Sequence, residues 1–321
     1  MTGSTRLPPL AKAIVDGDRR ALARTISAVE NGDPAVAGVL RALYPRTGRA
    51  PVIGLTGPLG VGKSSLLSVL IAHLRAQGKS VGVVAVDPSS PFSGGSVLGD
   101  RIRLERKAND DGVYFRSMAS RGEAGGIAAS TREVTRLLDA AGFDVVFVET
   151  VGSGQVDVAI RGVASTSVVV LVPHLGDEVQ TLKAGLFEIA DVFCVNKADL
   201  PGADLAAKDL SELVSLGAAR DGWAPVIVPT STTTPSGIAE LWTAISAHEA
   251  FLDQTGHRAA TERARLSAEI AERVRDRVGR DVAERLTRDA DLRTLLDRVL
   301  ARTLDPASAA DELYSTHYAT K

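Results

Sequence analysis

The stretch GPLGVGKSS, from Gly57 to Ser65, decides the fold, because it joins an apolar run to a helical pattern. The run PVIGLTG precedes it, and the helical pattern continues from Ser64 to Gln77. A Gly-x4-Gly-Lys-Ser motif in that context is typical of a loop that binds nucleotide phosphates, since glycines let backbone N–H groups turn toward the oxygens and the helix N-terminus adds positive potential. The predicted nucleotide-binding residues of this loop are Gly57, Pro58, Leu59, Gly60, Val61, Gly62, Lys63, Ser64 and Ser65.

Two side chains of this loop are predicted to contact the phosphates and the metal ion. Lys63 is expected to reach the β and γ phosphates and to act in catalysis through its charge. The Ser64 hydroxyl is expected to ligate Mg²⁺. The alternative is a glycine-rich turn that binds nothing, and the complete motif between a strand and a helix argues against it.

Short apolar runs that alternate with helical patterns predict the fold class. The runs are PVIGLTG, SVGVVAVD, GVYFRSM, FDVVFVET, TSVVVLVP, DVFCVNKAD and APVIVPTS. They are apolar on both faces, which is typical of a parallel sheet covered by helices on both sides. We therefore predict an α/β protein with the P-loop NTPase fold, in which a doubly wound, mostly parallel sheet carries helical N- and C-terminal extensions.

The sequence on either side of these runs predicts the domain organisation. Residues 1–50 are expected to form a helical extension of two short helices, broken at NGDPAV with Asp33 as an N-cap. Residues 51–252 form the predicted nucleotide-binding domain. Residues 253–321 form a predicted C-terminal helical arm, which contains long amphipathic helices and then the tail DPASAADELY.

Composition excludes several classes of function. The formal net charge of −2 over 321 residues disfavours nucleic acid as the main partner. One cysteine and five scattered histidines offer no metal cluster, and Cys194 lies in an apolar run that predicts a buried thiol. The N-terminus has no apolar signal core, and no run of about 18 apolar residues occurs, so we expect a cytoplasmic protein without a membrane partner.

The stretch VNKAD, which ends at Asp199, predicts the base that is bound. The Asp199 carboxylate only accepts hydrogen bonds, so it can take the N1–H and the 2-amino group of guanine. Adenine lacks both donors and would leave the carboxylate desolvated and unpaired. Asn196 is expected to contact the other edge of the base, Lys197 to cover its face, and Ser231 and Thr232 to complete the pocket for GTP or GDP.

Acidic residues at strand ends predict a magnesium site. Glu149 ends the run FDVVFVET and is expected to hold a water bound to Mg²⁺ and to act in catalysis. Asp87 and Asp100 flank a long polar segment and are candidate metal partners, with Asp100 also a candidate catalytic residue. Gln155 lies three residues beyond Gly152, which is not the spacing of a water-positioning glutamine. We therefore expect slow hydrolysis that a partner accelerates.

These motifs together resemble the MeaB/ArgK family of P-loop GTPases. The matching stretches, in order, are GPLGVGKSS, AVDPSSPFSGGSVLGDRIR, RSMASRGEAGG, ETVGSGQ, GDEVQTLKAGLFEIAD and VNKAD. The resemblance covers about residues 8–315. It implies a homodimeric chaperone, with the C-terminal helices as its dimerisation arm, that serves an adenosylcobalamin-dependent acyl-CoA mutase, most often methylmalonyl-CoA mutase. It further implies that GTP gates cofactor loading and protects the mutase, which in turn stimulates hydrolysis. For the C-terminal helices, a hairpin packed on its own domain is the alternative to a dimerisation arm.

The resemblance also implies a partner-sensing switch loop at GDEVQTLKAG. Its contact residues would be Asp177, Gln180 and Lys183. The chain departs from the family pattern at VD after Gln155, at HL in VPHLGDE, and at Leu59, where proline is commoner. The first two departures fall in switch regions, so the identity of the mutase stays open among methylmalonyl-, isobutyryl-, ethylmalonyl- and 2-hydroxyisobutyryl-CoA mutases.

Two other functions compete with this interpretation. A nickel-delivery GTPase would use a similar sheet, but such proteins usually display Cys/His motifs that this chain lacks. An ATP-dependent kinase of an amino-acid transport system is a label attached to the same family, and NKAD argues against ATP. Nucleotide preference and nickel binding would separate these functions from a mutase chaperone.

Overall fold

A computed structural model describes residues 7–87, 110–119, 129–150, 158–173, 188–216 and 221–318. The chain forms two compact units, Met1–His257 and Arg258–Lys321. The N-terminal helices therefore belong to the same unit as the sheet, and the predicted boundaries near residues 50 and 252 stay predictions. Within the described ranges, no helix is both long enough and apolar enough to cross a membrane.

The first unit is built on one sheet of seven strands in the order β3-β2-β4-β1-β5-β6-β7. Every pairing between these described strands is parallel. The order and the flanking helices confirm the predicted doubly wound α/β fold. The strands are β1 (Val52–Thr56), β2 (Val81–Asp87), β3 (Val113–Ala119), β4 (Val145–Thr150), β5 (Thr166–Leu171), β6 (Val192–Val195) and β7 (Val226–Pro229).

The described helices surround this sheet in the first unit and make up the second. In the first unit they are α1 (Pro9–Val15), α2 (Arg19–Glu30), α3 (Ala37–Leu43), α4 (Lys63–Ala76), α5 (Ala129–Ala140), α6 (Ala203–Leu216) and α7 (Ile238–Thr255). Short 3-10 turns lie at Pro34–Val36, Tyr44–Arg46 and Val158–Gly162. The helices that follow are α8 (His257–Arg288), α9 (Ala290–Leu300) and α10 (Pro306–His317).

Successive side chains along each strand point to opposite faces of the sheet, and helices cover both faces. In β1, Ile53 and Leu55 join the apolar cluster that α4 and α7 complete on one face. On the other face, Gly54 makes room for Ile160, because an added Cβ would lie 2.3 Å from Ile160 Cγ1. The two apolar layers explain why the central strands β1, β4, β5 and β6 carry polar residues only at their ends.

The N-terminal extension has three helices where the sequence predicted two. Asp33 accepts a hydrogen bond from Ala35 N, as its predicted capping role requires, but the turn that it caps leads directly into α3. Ile14, Leu22 and Ile26 pack into the apolar cluster that α5 shares on the same face of the sheet. The additional break lies between α1 and α2, where Asp18 caps α2 by accepting hydrogen bonds from the backbone N–H groups of Arg20 and Ala21. Periodicity did not reveal this break, because Ile14 and Leu22 keep helical spacing across it.

The linker after this extension is held by one buried carboxylate. Asp139 on α5 accepts hydrogen bonds from the backbone N–H groups of Gly48, Arg49 and Ala50, the last at 2.9 Å. A buried carboxylate that bonds several N–H groups satisfies donors that the turn would otherwise leave without partners. The N-terminal helices are thus fixed to the sheet unit by a polar contact as well as an apolar one.

The second unit has a small apolar core of its own. Leu292, Leu295 and Ala309 are buried against each other, with Leu286 and Leu313 packed around them. The tail that the sequence left without structure forms α10, and Asp305 caps it by accepting hydrogen bonds from two backbone N–H groups. Its helix-forming alanines and the Asp-Pro start account for this.

Replacing Asp139 with alanine should destabilise the protein by about 3 kcal/mol, because the linker N–H groups lose their acceptor inside the fold. Urea unfolding of the purified protein measures this loss. Asp139→Asn is the matched control, since it keeps one carbonyl oxygen and should lose roughly half as much. Equal unfolding free energies for the wild type and Asp139→Ala would contradict the role of this carboxylate.

Candidate functional site

Several of the predicted site residues lie where β1, β4, β6 and β7 end. The loop between β1 and α4 lies at their centre, and three of its glycines have positive φ: Gly57 (+143°), Gly60 (+79°) and Gly62 (+91°). A Cβ added at Gly57 would lie 2.2 Å from the carbonyl oxygen of Val170, so glycine is required there. Leu59, at the tip of the loop, is 75% exposed.

Lys63, the first residue of α4, folds back over the loop. Its side chain is buried, and Nζ donates hydrogen bonds to the carbonyl oxygens of Gly57 (2.7 Å) and Pro58 (3.0 Å). These carbonyls hold a positive charge inside the curve of the loop, where backbone N–H groups of the helix start also gather. The arrangement has the chemistry of an anion-binding cradle.

Ser64 and Glu149, which were both predicted to take part in a metal site, lie in hydrogen-bond contact. Ser64 Oγ donates a hydrogen bond of 2.5 Å to Glu149 Oε1. Glu149 is 5% exposed, and its register places it between Leu55 of β1 and Ala85 of β2. A hydroxyl and a carboxylate in contact beside the loop form an oxygen-donor pair of the kind that Mg²⁺ prefers.

The predicted base loop is joined to the phosphate loop by two hydrogen bonds. Asn196 Nδ2 donates to the carbonyl oxygen of Val61 at 2.8 Å, and Lys197 Nζ donates to that of Gly60 at 2.9 Å. Lys197 has a φ of +59°, which turns the chain sharply after β6. The NKAD stretch at the end of β6 therefore packs on the glycine loop.

Asp199 lies in a cluster of hydroxyl groups after β7. Ser231 Oγ donates a 2.5 Å hydrogen bond to Asp199 Oδ1, and this bond is the main reason that the pKa of Asp199 is lowered from its ordinary value. The carboxylate therefore stays ionised at neutral pH and loses its charge only as the pH falls below the ordinary carboxyl range. Such a group accepts hydrogen bonds and cannot donate them.

Further hydroxyl residues near this loop were not predicted to belong to the site. Thr234 donates from its backbone N–H and from Oγ1 to Ser231 Oγ, and Thr230 Oγ1 donates to Asn196 Oδ1. Thr232, which was predicted, is partly buried in the same turn. The run PTSTTTPS carries a signal for such a turn but does not reveal which hydroxyl bonds to which partner.

The structure leaves several predicted residues without a description. Asp100 and the switch residues Asp177, Gln180 and Lys183 lie outside the described ranges, and only the backbone of Asp87 is described, at the end of β2. Within the described ranges, no group of three or more His, Cys, Asp or Glu side chains is arranged to hold a metal ion.

Comparisons with known proteins agree with this geometry. The family model described as "Methylmalonyl Co-A mutase-associated GTPase MeaB" matches residues 22–287. A Pyrococcus horikoshii protein named as a GTPase is 46% identical over 305 residues, which are 94% of this chain and 95% of that protein. The Escherichia coli protein named GTPase ArgK is 34% identical over 264 residues, 80% of each chain. A solved structure titled LAO/AO transport system kinase has 26% identity and a TM-score of 0.69, and the match covers 98% of this chain and 99% of that chain.

Replacing Asp199 with asparagine should lower the affinity for GTP by at least about 100-fold, because a carboxamide cannot accept from both N1–H and the 2-amino group. Affinity for xanthosine triphosphate should rise, since its C2 carbonyl accepts from the new NH₂ group. Titration of each nucleotide with the purified variant measures both changes.

Ser231→Ala is the matched control for this exchange. It removes the hydroxyl that bonds Asp199 but keeps the carboxylate, so GTP binding should weaken modestly and the pKa of Asp199 should return toward its ordinary value. No gain for the xanthine nucleotide is expected. Unchanged GTP affinity in Asp199→Asn would show that this residue does not select the base.

Proposed function

The chain belongs to the MeaB family of methylmalonyl-CoA mutase-associated GTPases. We propose that its GTPase cycle controls when a cobalamin cofactor is transferred to a mutase. The partner in this proposal is an adenosylcobalamin-dependent acyl-CoA mutase, with methylmalonyl-CoA mutase first among the candidates. GTP binding and hydrolysis would gate loading of the cobalamin cofactor and protect the mutase from inactivation. The observation that carries the proposal is the family match over residues 22–287, joined to a base loop built to accept hydrogen bonds from guanine.

In this proposal the nucleotide lies along the ends of four strands. The phosphates occupy the loop from Gly57 to Ser65, and Lys63 exchanges its hydrogen bonds to loop carbonyls for bonds to phosphate oxygens. The base lies against Asn196 and Lys197, and Asp199 takes its two donors. Asp199 is ionised at neutral pH, because its hydrogen bond from Ser231 lowers its pKa, so it can accept from guanine without first losing a proton.

Magnesium is proposed at the pair formed by Ser64 and Glu149. Both side chains offer oxygen atoms, they are in hydrogen-bond contact, and Glu149 is buried beside the phosphate loop. When bound, the metal would neutralise charge on the phosphates as the terminal P–O bond breaks. Asp87 and Asp100 are proposed as further acids of this site.

The proposed hydrolysis uses the charge of Lys63 to stabilise the phosphates as water attacks the terminal phosphorus. The products are GDP and inorganic phosphate. We propose that the basal rate is low and that the mutase raises it, with Asp177, Gln180 and Lys183 as the contacts that sense the partner. A contact residue of this kind acts by changing which state of the switch is populated.

A homodimer is proposed through the second unit. Along α8, Leu266, Ile270, Val274 and Val278 recur every four residues and so form one apolar row on the helix surface. A second copy of the chain would cover this row. Sedimentation of the purified protein at several concentrations tests the assembly separately from its activity.

The kinase title of the solved relative raises ATP as a competing nucleotide. Adenine has an unprotonated N1 and no 2-amino group, so it would displace water from the exposed Asp199 carboxylate and offer it no donor in return. Guanine offers two donors to the same carboxylate. The geometry around Asp199 therefore favours GTP as the nucleotide.

Replacing Glu149 with glutamine should raise the Mg²⁺ concentration needed for half-maximal GTP hydrolysis by about tenfold, because a neutral carboxamide attracts the cation less than a carboxylate does. GTP turnover measured across a Mg²⁺ titration gives this value. Glu240→Gln, on the exposed start of α7, removes the same charge away from the site and should leave the titration unchanged. Identical Mg²⁺ dependence in the wild type and Glu149→Gln would contradict the proposed metal site.

GTP turnover by the purified protein should rise severalfold when methylmalonyl-CoA mutase is added. The physical reason is that a partner completing the switch region lowers the barrier that the isolated chain leaves high. Isobutyryl-, ethylmalonyl- and 2-hydroxyisobutyryl-CoA mutases, tested in parallel, identify the preferred partner. Asp199→Asn, supplied with GTP, controls for contaminating hydrolases. Turnover that none of these mutases changes would overturn the chaperone proposal and leave the GTPase activity in place.

A further inference from the structure

Three buried side chains form a chain of hydrogen bonds behind the base loop. Cys194 lies on β6, Asn196 follows the end of β6, and Thr230 follows the end of β7. All three are 0% exposed. Cys194 Sγ lies 3.0 Å from Thr230 Oγ1, which lies 3.2 Å from Asn196 Oδ1, and Asn196 Nδ2 lies 2.8 Å from the carbonyl oxygen of Val61.

The number of protons that each group can donate determines the direction of every hydrogen bond in this chain. The Val61 carbonyl only accepts, so the NH₂ group of Asn196 must face it and Oδ1 must face Thr230. Oδ1 also only accepts, so the single hydroxyl proton of Thr230 is committed to Asn196. The thiol of Cys194 must therefore donate to Thr230, and burial supports this by raising the pKa of Cys194 to about 12, which keeps the thiol protonated.

The chain ends on the phosphate loop, at a point where little movement is possible. A Cβ added at Gly62 would lie 2.6 Å from Asn196 Nδ2, so the carboxamide packs directly on the loop backbone. Backbone hydrogen bonds fix the ends of β5, β6 and β7 relative to one another, with Thr230 N donating to Val195 O and Asn196 N donating to Leu171 O, each at 2.8 Å. The orientation of one carboxamide thus sets how the base loop and the phosphate loop face each other.

We propose that Thr230 and Cys194 are positioning residues for guanine-nucleotide binding, which act by fixing the carboxamide of Asn196 between the base loop and the phosphate loop. The proposal rests on the proposed nucleotide site but not on the mutase partner. In this proposal neither Thr230 nor Cys194 contacts the nucleotide. Thr230 holds Asn196 directly, and Cys194 holds the Thr230 hydroxyl with its proton turned toward Asn196.

Thr230→Val keeps the shape of the side chain and removes the hydroxyl, so it should weaken GDP and GTP binding by about tenfold, which corresponds to about 1.4 kcal/mol. Thr230→Ser restores the hydroxyl and should return the affinity to within about twofold of the wild type, an effect smaller than the typical contribution of one hydrogen bond. Dissociation constants measured by titration of a fluorescent GDP analogue, without any mutase, give these values.

Thr25→Val is the matched control for losing a buried hydroxyl. Thr25 is 1% exposed in α2 and donates to Ala21 O at 2.9 Å, away from the site. It should lower the melting temperature as Thr230→Val does and leave GDP affinity unchanged. A loss of affinity in Thr25→Val equal to that in Thr230→Val would overturn the positioning role, because the effect would then follow stability alone.

Cys194→Ala tests the outer member of the chain. Alone it should weaken GDP binding by about threefold, and in the Thr230→Val background it should have no further effect, because residues in one network are not additive. Three results would each overturn the proposal. Thr230→Val and Cys194→Ala could both keep wild-type GDP affinity, or their losses of affinity could add independently in the double variant. Thr230→Ser could also fail to restore binding. Should Thr230→Val fail to fold, Thr230→Ser and Cys194→Ala still decide it. These assays contain no mutase, so a negative result here would not bear on the mutase proposal. In the same way, a mutase that leaves GTP turnover unchanged would not bear on the positioning role of Thr230 and Cys194.

Discussion

The described strands of the sheet all run in one direction, the central strands β1, β4, β5 and β6 are buried on both faces, and the site depends on that constraint. Along these central strands polar side chains stand only at the ends, where the apolar layers stop. Parallel strands bring those positions to one edge, so Glu149, Asn196 and Thr230 lie along the same edge of the sheet although they are far apart in sequence. The glycine loop after β1 lies in the middle of this edge, which is where ligands bind in doubly wound sheets.

The polar groups of the site satisfy one another inside the protein. Lys63 bonds to loop carbonyls, Ser64 bonds to Glu149, and Ser231 bonds to Asp199. A bound nucleotide would therefore exchange existing hydrogen bonds for stronger charged ones, so the net gain per contact is the difference between two bonds. Guanine and phosphate need several such contacts at once, and this makes the relative position of the two loops as important as the residues that they carry.

The sequence predicted the parts of this structure that depend on local pattern. Strands buried on both faces, the glycine loop and the NKAD turn each follow from residue type and spacing within about ten residues. The contacts that depend on register between distant segments could not be predicted. The bond between Cys194 and Thr230 requires β6 and β7 to pair with Val195 opposite Pro229, and the bonds of Asp139 to the linker span about 90 residues. The break between α1 and α2 was missed because apolar residues keep helical spacing across it.

The two ends of the site are each held by hydrogen bonds that join a strand end to the phosphate loop or to the start of α4. At the base end, Asn196 is fixed on both sides of its carboxamide, by Val61 and by Thr230, and no part of that chain has to break for guanine to bind. At the other end, Ser64 donates its proton to Glu149 and keeps oxygen lone pairs that could ligate a cation, so this hydrogen bond does not have to break either. Glu149 is followed by Thr150, whose hydroxyl bonds to that of Thr56 at 3.0 Å directly beneath the phosphate loop. The hydrogen bonds that hold Asn196 and Glu149 against the phosphate loop are therefore compatible with a bound nucleotide.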